Sequence, residues 1–378
     1  MSVTITQHPS SFSFAGNPVL LKASSSLANK TFLKICAEIT VSVYQQGAML
    51  NTITRNLSIP TVGGNQSVVL DFSDVLQSAL SEARIERNAV LSGGAPASAG
   101  GFARYSVKLW DEYLDEYQEV VSTKNSASVT SDNRMAIPGA YTDWQRLTKP
   151  EDTASVLGNA FRLSNKPDFE PIPVGGKVVV PLFSATDRVS AVYLDSEVTS
   201  NQIGTYNFYA SEGAWKTLSV PLDAEQGMHS LLWKNVDVAP FFFYAIPGQP
   251  FATYFEFVNR MGAIESIYAY GRKEQKTALQ TERQVQKHNS SFRPSARFLK
   301  RTLQETESIV MSTGPINREW AKWFVSEFFT AEKAWMYSEE TADMVPVVIE
   351  CDEELPLFND SEPTVLSLAF TVTKCING

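Results

Sequence analysis

The sequence predicts a mainly β fold, built of serial antiparallel β-sandwich-like domains with a smaller α+β region at the C-terminus. Three observations carry this expectation. Short apolar-alternating runs recur about every ten residues, split by Gly, Asn and Pro, as in sandwich domains. The 22 Phe, 13 Tyr and 7 Trp suit half-buried pleated surfaces. Between residues 161 and 271, Pro and Gly separate nearly every pair of runs, which is hard to reconcile with the crossover helices that parallel strands need.

Taken in order, the first segment, 1–148, reads as an N-terminal sandwich-like domain. Its strand-like runs include Phe12 to Phe14, Val19 to Ala23, and residues 32–44, 50–59, 67–72, 102–110 and 117–123. One helix interrupts them over 71–83, with Ser73 or Asp74 as N-cap and Val75, Leu76, Ala79 and Leu80 on one face. Residues 91–101, rich in Gly, Ala and Ser, have no side chains to hold a core and read as a loop. The second segment, 149–271, is a second β domain with eight strand candidates between Lys177 and Tyr270. The third, 272–378, is α+β and suits packing on the second. It opens with a basic stretch, continues with a long polar-alternating strand over 295–310, and then has a helix. There Asn317 precedes Trp320, Trp323, Phe324 and Phe328 at helical spacing. Strands over 344–351 and 365–374 close the chain.

At 378 residues with 43% hydrophobic side chains, the chain is long enough to bury two or three cores without disulfide or metal staples. Cys36, Cys351 and Cys375 have no CxxC spacing, which argues against a zinc site. They read as small buried hydrophobes, with a Cys351–Cys375 bridge as the alternative. The N-terminal stretch lacks a basic region followed by an apolar one, so no secretory signal is expected. No apolar run reaches membrane-spanning length, and synthesis in the cytoplasm is expected.

Catalytic chemistry finds few candidates. His8, His229 and His288 are isolated, and neither GxSxG nor HExxH occurs. Val174-Gly175-Gly176-Lys177 lacks the spacing of a phosphate loop and reads as a hairpin turn. Asp111, Glu112, Asp115 and Glu116 are the densest carboxylates. Placed together in one hydrophilic turn they would be solvated and ionised, whereas a general acid needs burial. No enzyme activity, cofactor or metal is expected. Trp110, Tyr113, Tyr117 and Trp144 could stack on sugar rings, which makes a carbohydrate-binding or adhesion module the alternative function. A glycosidase would instead need two carboxylates facing each other across a cleft.

The clearest electrostatic feature is a basic strip. Residues 271–301 hold nine Lys or Arg against two Glu, a local balance of +7 on a chain of net charge -9, leaving -16 elsewhere. Arg272, Lys273, Arg283, Lys287, Arg293, Arg297, Lys300 and Arg301 are the candidate docking residues. Three readings stay open: a solvated polar face, a docking surface for an acidic partner, and a phosphate contact. The few aromatics nearby, Phe292 and Phe298, speak against nucleic acid. A basic strip on an acidic body also complements copies of itself.

Residues 12–19 (FSFAGNPV), 68–76 (VVLDFSDVL) and 257–265 (FVNRMGAIE), together with the helix-then-strand pattern over 320–348, resemble tail-associated structural proteins of Bacteroidales prophages and phages. The resemblance implies a non-catalytic structural or docking component of a tail or baseplate, with other virion proteins or copies of itself as partners. It carries no catalytic residue. Asn259, Gly262 and Glu265 are expected to supply only a turn.

Overall fold

The computed structural model describes residues 2–27, 30–45, 48–61, 67–81, 101–140, 160–184, 188–195, 200–207, 215–221, 225–234, 238–288, 295–351 and 365–374. The fold is mainly β, in serial sandwich-like sheets that are antiparallel apart from the pairing of residues 12–14 with 135–137, with a smaller α+β C-terminal region. The chain divides into two compact units. One holds Met1–Glu170, Gly175–Ala245 and Val258–Glu265; the other holds Pro171–Val174, Ile246–Phe257 and Ser266–Gly378. This division cuts across the segments 1–148, 149–271 and 272–378 read from the sequence.

The first unit opens with β1 (Val3–Gln7), β2 (Phe12–Phe14), β3 (Leu20–Ser25), β4 (Thr31–Gln45), β5 (Ala48–Pro60), β6 (Ser67–Asp71), α1 (Ser73–Leu80), β7 (Phe102–Leu114), β8 (Val120–Ser122) and β9 (Val129–Ile137). A three-stranded sheet, β1-β3-β6, accompanies a larger one, β2-β9-β7-β4-β5, in which β8 pairs with β7. Strand period two explains the packing. Ile35, Ala37, Ile39, Val41 and Val43 alternate along β4, join Ala103, Tyr105, Val107 and Leu109 of β7, and share one core with Leu21, Ala23, Val68 and Leu70. Each fully buried Ile, Leu or Val contributes roughly 1.5–3 kcal/mol.

Helix α1 is shorter than 71–83, and its N-cap is Phe72, not Ser73 or Asp74. Asp71 does the capping work from one position earlier: its Oδ1 accepts from the backbone N–H of Ser73 and of Val19, both at 3.0 Å. Its inward face is the expected one, with Leu76, Ala79 and Leu80 buried. Residues 91–100 of the expected loop lie outside the described residues.

The chain continues through β10 (Ala160–Arg162), β11 (Glu170–Pro173), β12 (Lys177–Ser184), β13 (Arg188–Asp195), β14 (Ser200–Asn207), β15 (Trp215–Pro221), β16 (Gly227–Lys234) and β17 (Phe241–Ile246). They form the sheets β10-β12-β15 and β11-β17-β16-β13-β14. The turn at Val174 to Lys177 therefore connects two sheets and closes no hairpin between its own flanking strands. Along β17, Phe241 and Phe243 are buried while Tyr244 is exposed, so one face is core and the other open.

The C-terminal sheet adds β18 (Thr253–Val258), β19 (Ile264–Ala269), β20 (Glu274–His288), β21 (Ser295–Ser312), β22 (Ala334–Ser338), β23 (Asp343–Glu350) and β24 (Ala369–Lys374), in the order β19-β18-β22-β23-β24-β21-β20. Helix α2 (Arg318–Trp323) starts as read from the sequence: Asn317 is its N-cap and accepts from Trp320 N–H at 2.9 Å. A π-helical turn over Phe324–Phe328 follows. The wider turn keeps Trp323, Phe324 and Phe328 in one aromatic cluster, with Phe328 at 5.3 Å from the rings of both Phe255 and Phe257. The aromatic stripe is thus helix-on-sheet core.

Asn259 and Gly262 do more than turn the chain. Gly262 has φ +77°, and a Cβ there would lie 2.7 Å from the carbonyl carbon and oxygen of Pro138. Around it Phe12, Phe14, Phe102, Ile137, Leu163, Val179, Met261, Ala263 and Ile264 make one apolar cluster within the first unit. Gly175 has a similar φ of +76° with nothing within 4 Å of its added Cβ. In urea denaturation, Gly262→Ala is expected to lose on the order of 2–3 kcal/mol and Gly175→Ala about 1 kcal/mol, the difference being the steric part. Equal losses would deny the close approach its role.

Candidate functional site

The candidate docking residues fall into two groups. Arg272 is exposed and Lys273 half-buried just before β20, the latter with Nζ 3.7 Å from Glu339 Oε1. Arg283 and Lys287 stand on β20 and Arg297, Lys300 and Arg301 on β21, while Arg293 lies outside the described residues. The basic stretch is thus largely a strand pair, and β20 is an element the sequence reading left unassigned. Its Gln and Thr positions blur the apolar-polar alternation that marks a half-buried strand.

The register of this pair runs without interruption from Glu274↔Val310 to His288↔Ser295, apart from one bulge at Gln280/Thr281. It sets Arg283 opposite Lys300, Glu282 opposite Arg301, and Gln286 opposite Arg297. β24 pairs with β21 only over Ser308 to Ser312, and β20 is the last strand of its sheet. From Thr277↔Glu307 outward, twelve successive pairs therefore form a ribbon of two strands with no third strand among the described residues. At the usual strand rise it extends roughly 40 Å.

The three described candidates for sugar stacking, Trp110, Tyr113 and Tyr117, differ in their surroundings. Trp110 is 5% exposed; its Nε1 donates to Glu112 Oε1 at 3.0 Å, and Lys124 Nζ lies 4.6 Å from its ring. Tyr113 is half-buried under Lys30 Nζ at 4.8 Å. Tyr117 is 77% exposed. Trp144 lies outside the described residues.

The carboxylates expected in one solvated turn are divided, because β7 runs on to Leu114. Asp111 is buried on that strand, and burial holds its carboxyl above the usual range against the opposing pull of the Ser2 and Ser25 hydroxyls. Glu112 pairs with Lys34 at 2.8 Å, and that hydrogen bond, with a second from Trp110, lowers its pKa. Asp115 organises the turn itself: its Oδ1 accepts from the N–H groups of Tyr117 and Glu119, both at 2.9 Å. Glu116 and Glu119 project from it, exposed.

A buried ionic network in the first unit was not foreseen from the sequence. Lys166 Nζ and Glu170 Oε2 pair at 2.7 Å with side chains only 2% and 1% exposed. Arg162 Nη2 donates to Lys166 O at 3.2 Å, and its guanidinium lies 5.1 Å from the Phe241 ring centre. Asn259 Nδ2 donates to Leu163 O at 2.7 Å and to Glu265 Oε2 at 3.1 Å, and Ser164 Oγ donates to Glu265 Oε1. Burial pushes the Glu170 carboxyl up to about 7, although Lys166 pulls it down. An i,i+4 Lys–Glu pair in sequence looks like any surface pair, and only folding brings Arg162, Asn259 and Glu265 to it.

Cys36 is buried, and burial pushes its thiol up to about 12. Cys351 is half-buried with Sγ 3.4 Å from Ala369 O, and Cys375 lies outside the described residues. Among the described residues no three His, Cys, Asp or Glu side chains are grouped to hold a metal ion. No described helix is long and apolar enough to cross a membrane.

No protein-family model matches the chain, and no curated protein matches it. Among solved structures, a marsupial T cell receptor is similar at 9% identity and a TM-score of 0.18, covering 82% of this chain and 96% of the receptor chain. The calcium-binding domain pair CBD12 of CALX1.1 is similar at 10% identity and a TM-score of 0.18, covering 66% and 83% of the two chains. CBD12 from CALX1.2 is similar at 8% identity and a TM-score of 0.17, covering 62% and 79%. Superposition at this level carries no argument about function.

The raised pKa of Glu170 sets a sign for pH dependence. The folded chain holds a proton there that the unfolded chain has already lost, so this group's contribution to stability falls as pH rises from about 4.5 and levels off above about 7. Asp111 adds a change of the same sign. Urea midpoints between pH 5 and 8 are expected to fall and then flatten, and Glu170→Gln to reduce that slope. An unchanged slope in Glu170→Gln would assign it to other groups.

Proposed function

We propose that this chain is a non-catalytic structural or docking component of a phage or prophage tail or baseplate, synthesised in the bacterial cytoplasm and incorporated into the virion. What carries the reading is the outer β20–β21 ribbon, an arm of twelve strand pairs extending beyond the third strand of its sheet. A two-stranded ribbon is only marginally stable alone in water. An arm of this kind gains stability by lying against another surface, which is the task of an assembly part.

The motifs behind the tail resemblance also fall at positions that shape the fold. Residues 12–19 supply β2 and the turn toward β3, 68–76 carry β6 into α1, and 257–265 hold the Asn259–Gly262 turn between β18 and β19. The partners in this reading are other virion proteins or copies of the chain itself.

The test is incorporation. In a strain carrying the gene with an epitope tag, induced particles are banded on a density gradient and probed for the tag. Co-migration with particles, retained after a salt wash, is the expected result. Recovery in the soluble fraction alone contradicts the reading.

A further inference from the structure

The far end of the outer arm is basic, while Glu282, Glu305 and Glu307 lie nearer its base. From Arg283 to Arg301 there are six Lys or Arg and no Asp or Glu, while the rest of the chain sums to -15. The register places Arg283 directly across from Lys300. Like charges opposite each other destabilise a strand pair. Glu282 stands opposite Arg301 in the register and offsets part of this repulsion, the outer edges of the ribbon meet no third strand among the described residues, and an anionic surface laid against the basic end relieves the rest.

The turn between β7 and β8 has the complementary chemistry. Residues 109–123 contain five Asp or Glu and no Lys or Arg. Asp111 and Glu112 are used within the fold and Asp115 Oδ1 within the turn, which leaves Glu116 and Glu119 exposed around the tip. Tyr117 stands there 77% exposed. At the same end of the sheet Phe32 and Val120 are exposed as well, Thr31 pairing with Leu114 and Leu114 with Val120. Arginine is the cation best suited to this combination, because its planar head pairs with carboxylates bidentately and stacks on an aromatic face.

We propose that the β20–β21 arm of one copy docks on the β7–β8 turn of a second copy. The inference rests on the docking reading above and names its partner as another molecule of this chain. The two surfaces differ, so the contact is heterologous: repeated, it generates a ring when the rotation closes and a filament when it does not.

Sedimentation velocity tests this. The full chain is expected to self-associate in a concentration-dependent way, more weakly as salt rises. Arg283→Glu/Arg297→Glu/Arg301→Glu in the arm, and Glu116→Lys/Glu119→Lys in the turn, are each expected to weaken association about tenfold or more. An equimolar mixture of the two reversed variants is expected to associate again, because each arm then meets a turn of opposite charge. Arg→Gln at the same three arm positions, with an unchanged circular dichroism spectrum, separates lost charge from lost fold. A wild-type chain that stays monomeric, association untouched by either reversal, or a mixture that stays monomeric would overturn the proposal. Failure of particle incorporation leaves this self-contact standing, and loss of the self-contact leaves incorporation standing.

Discussion

A strand in water makes two demands: its backbone N–H and C=O groups need partners, and at least one of its faces needs cover. The interior strand β4 meets both, lying between β5 and β7 with its alternate residues sealed in one core. Sheet order and core composition follow from repeating that solution. The outer β20–β21 arm departs from it. Its inner edges are paired, its outer edges meet no third strand among the described residues, and its large apolar residues are Leu279, Val285, Phe298, Leu299 and Leu303. An element whose outer edges meet no third strand among the described residues is a natural place to look for a second molecule.

The first unit meets a harder demand at its buried charges. An ion taken out of water is tolerated only when it is paired and hydrogen-bonded. Lys166 and Glu170 pair with each other, Arg162 holds the Lys166 carbonyl, and Asn259 and Ser164 hold Glu265. The same Asn259 accepts from Ala263 N–H across the turn that Gly262 makes possible. Backbone geometry and charge compensation therefore share one residue, so a substitution at Asn259 disturbs both.

Local signals were legible in the sequence and remote ones were not. The Asn317 cap and the aromatic stripe of α2 could be read because all their partners lie within a few residues. The strands of the first unit could be read because period two is strong in segments such as Ile35 to Val43. Asp111 misled, because a run of polar residues hid a strand that continues to Leu114 and turns its carboxylate inward. β20 misled for the converse reason: its alternation is of polar with polar, and the partner that makes it a strand begins at Ser295. The Glu170 network draws on residues about a hundred positions apart, and no spacing rule joins Arg162 and Ser164 to Asn259 and Glu265.

The charge of residues 271–301 was visible from the start; its placement on a two-stranded arm was not, and that placement turns a composition into a mechanism. Hydrogen exchange tests it most directly. In dilute, high-salt solution, where the monomer is favoured, amides of residues 277–307 should exchange far faster than those of β4. Under associating conditions, protection should rise in 277–307 and in 115–119 while β4 is unchanged. Equal protection of the arm in both states would contradict an arm that relies on a second copy for its cover.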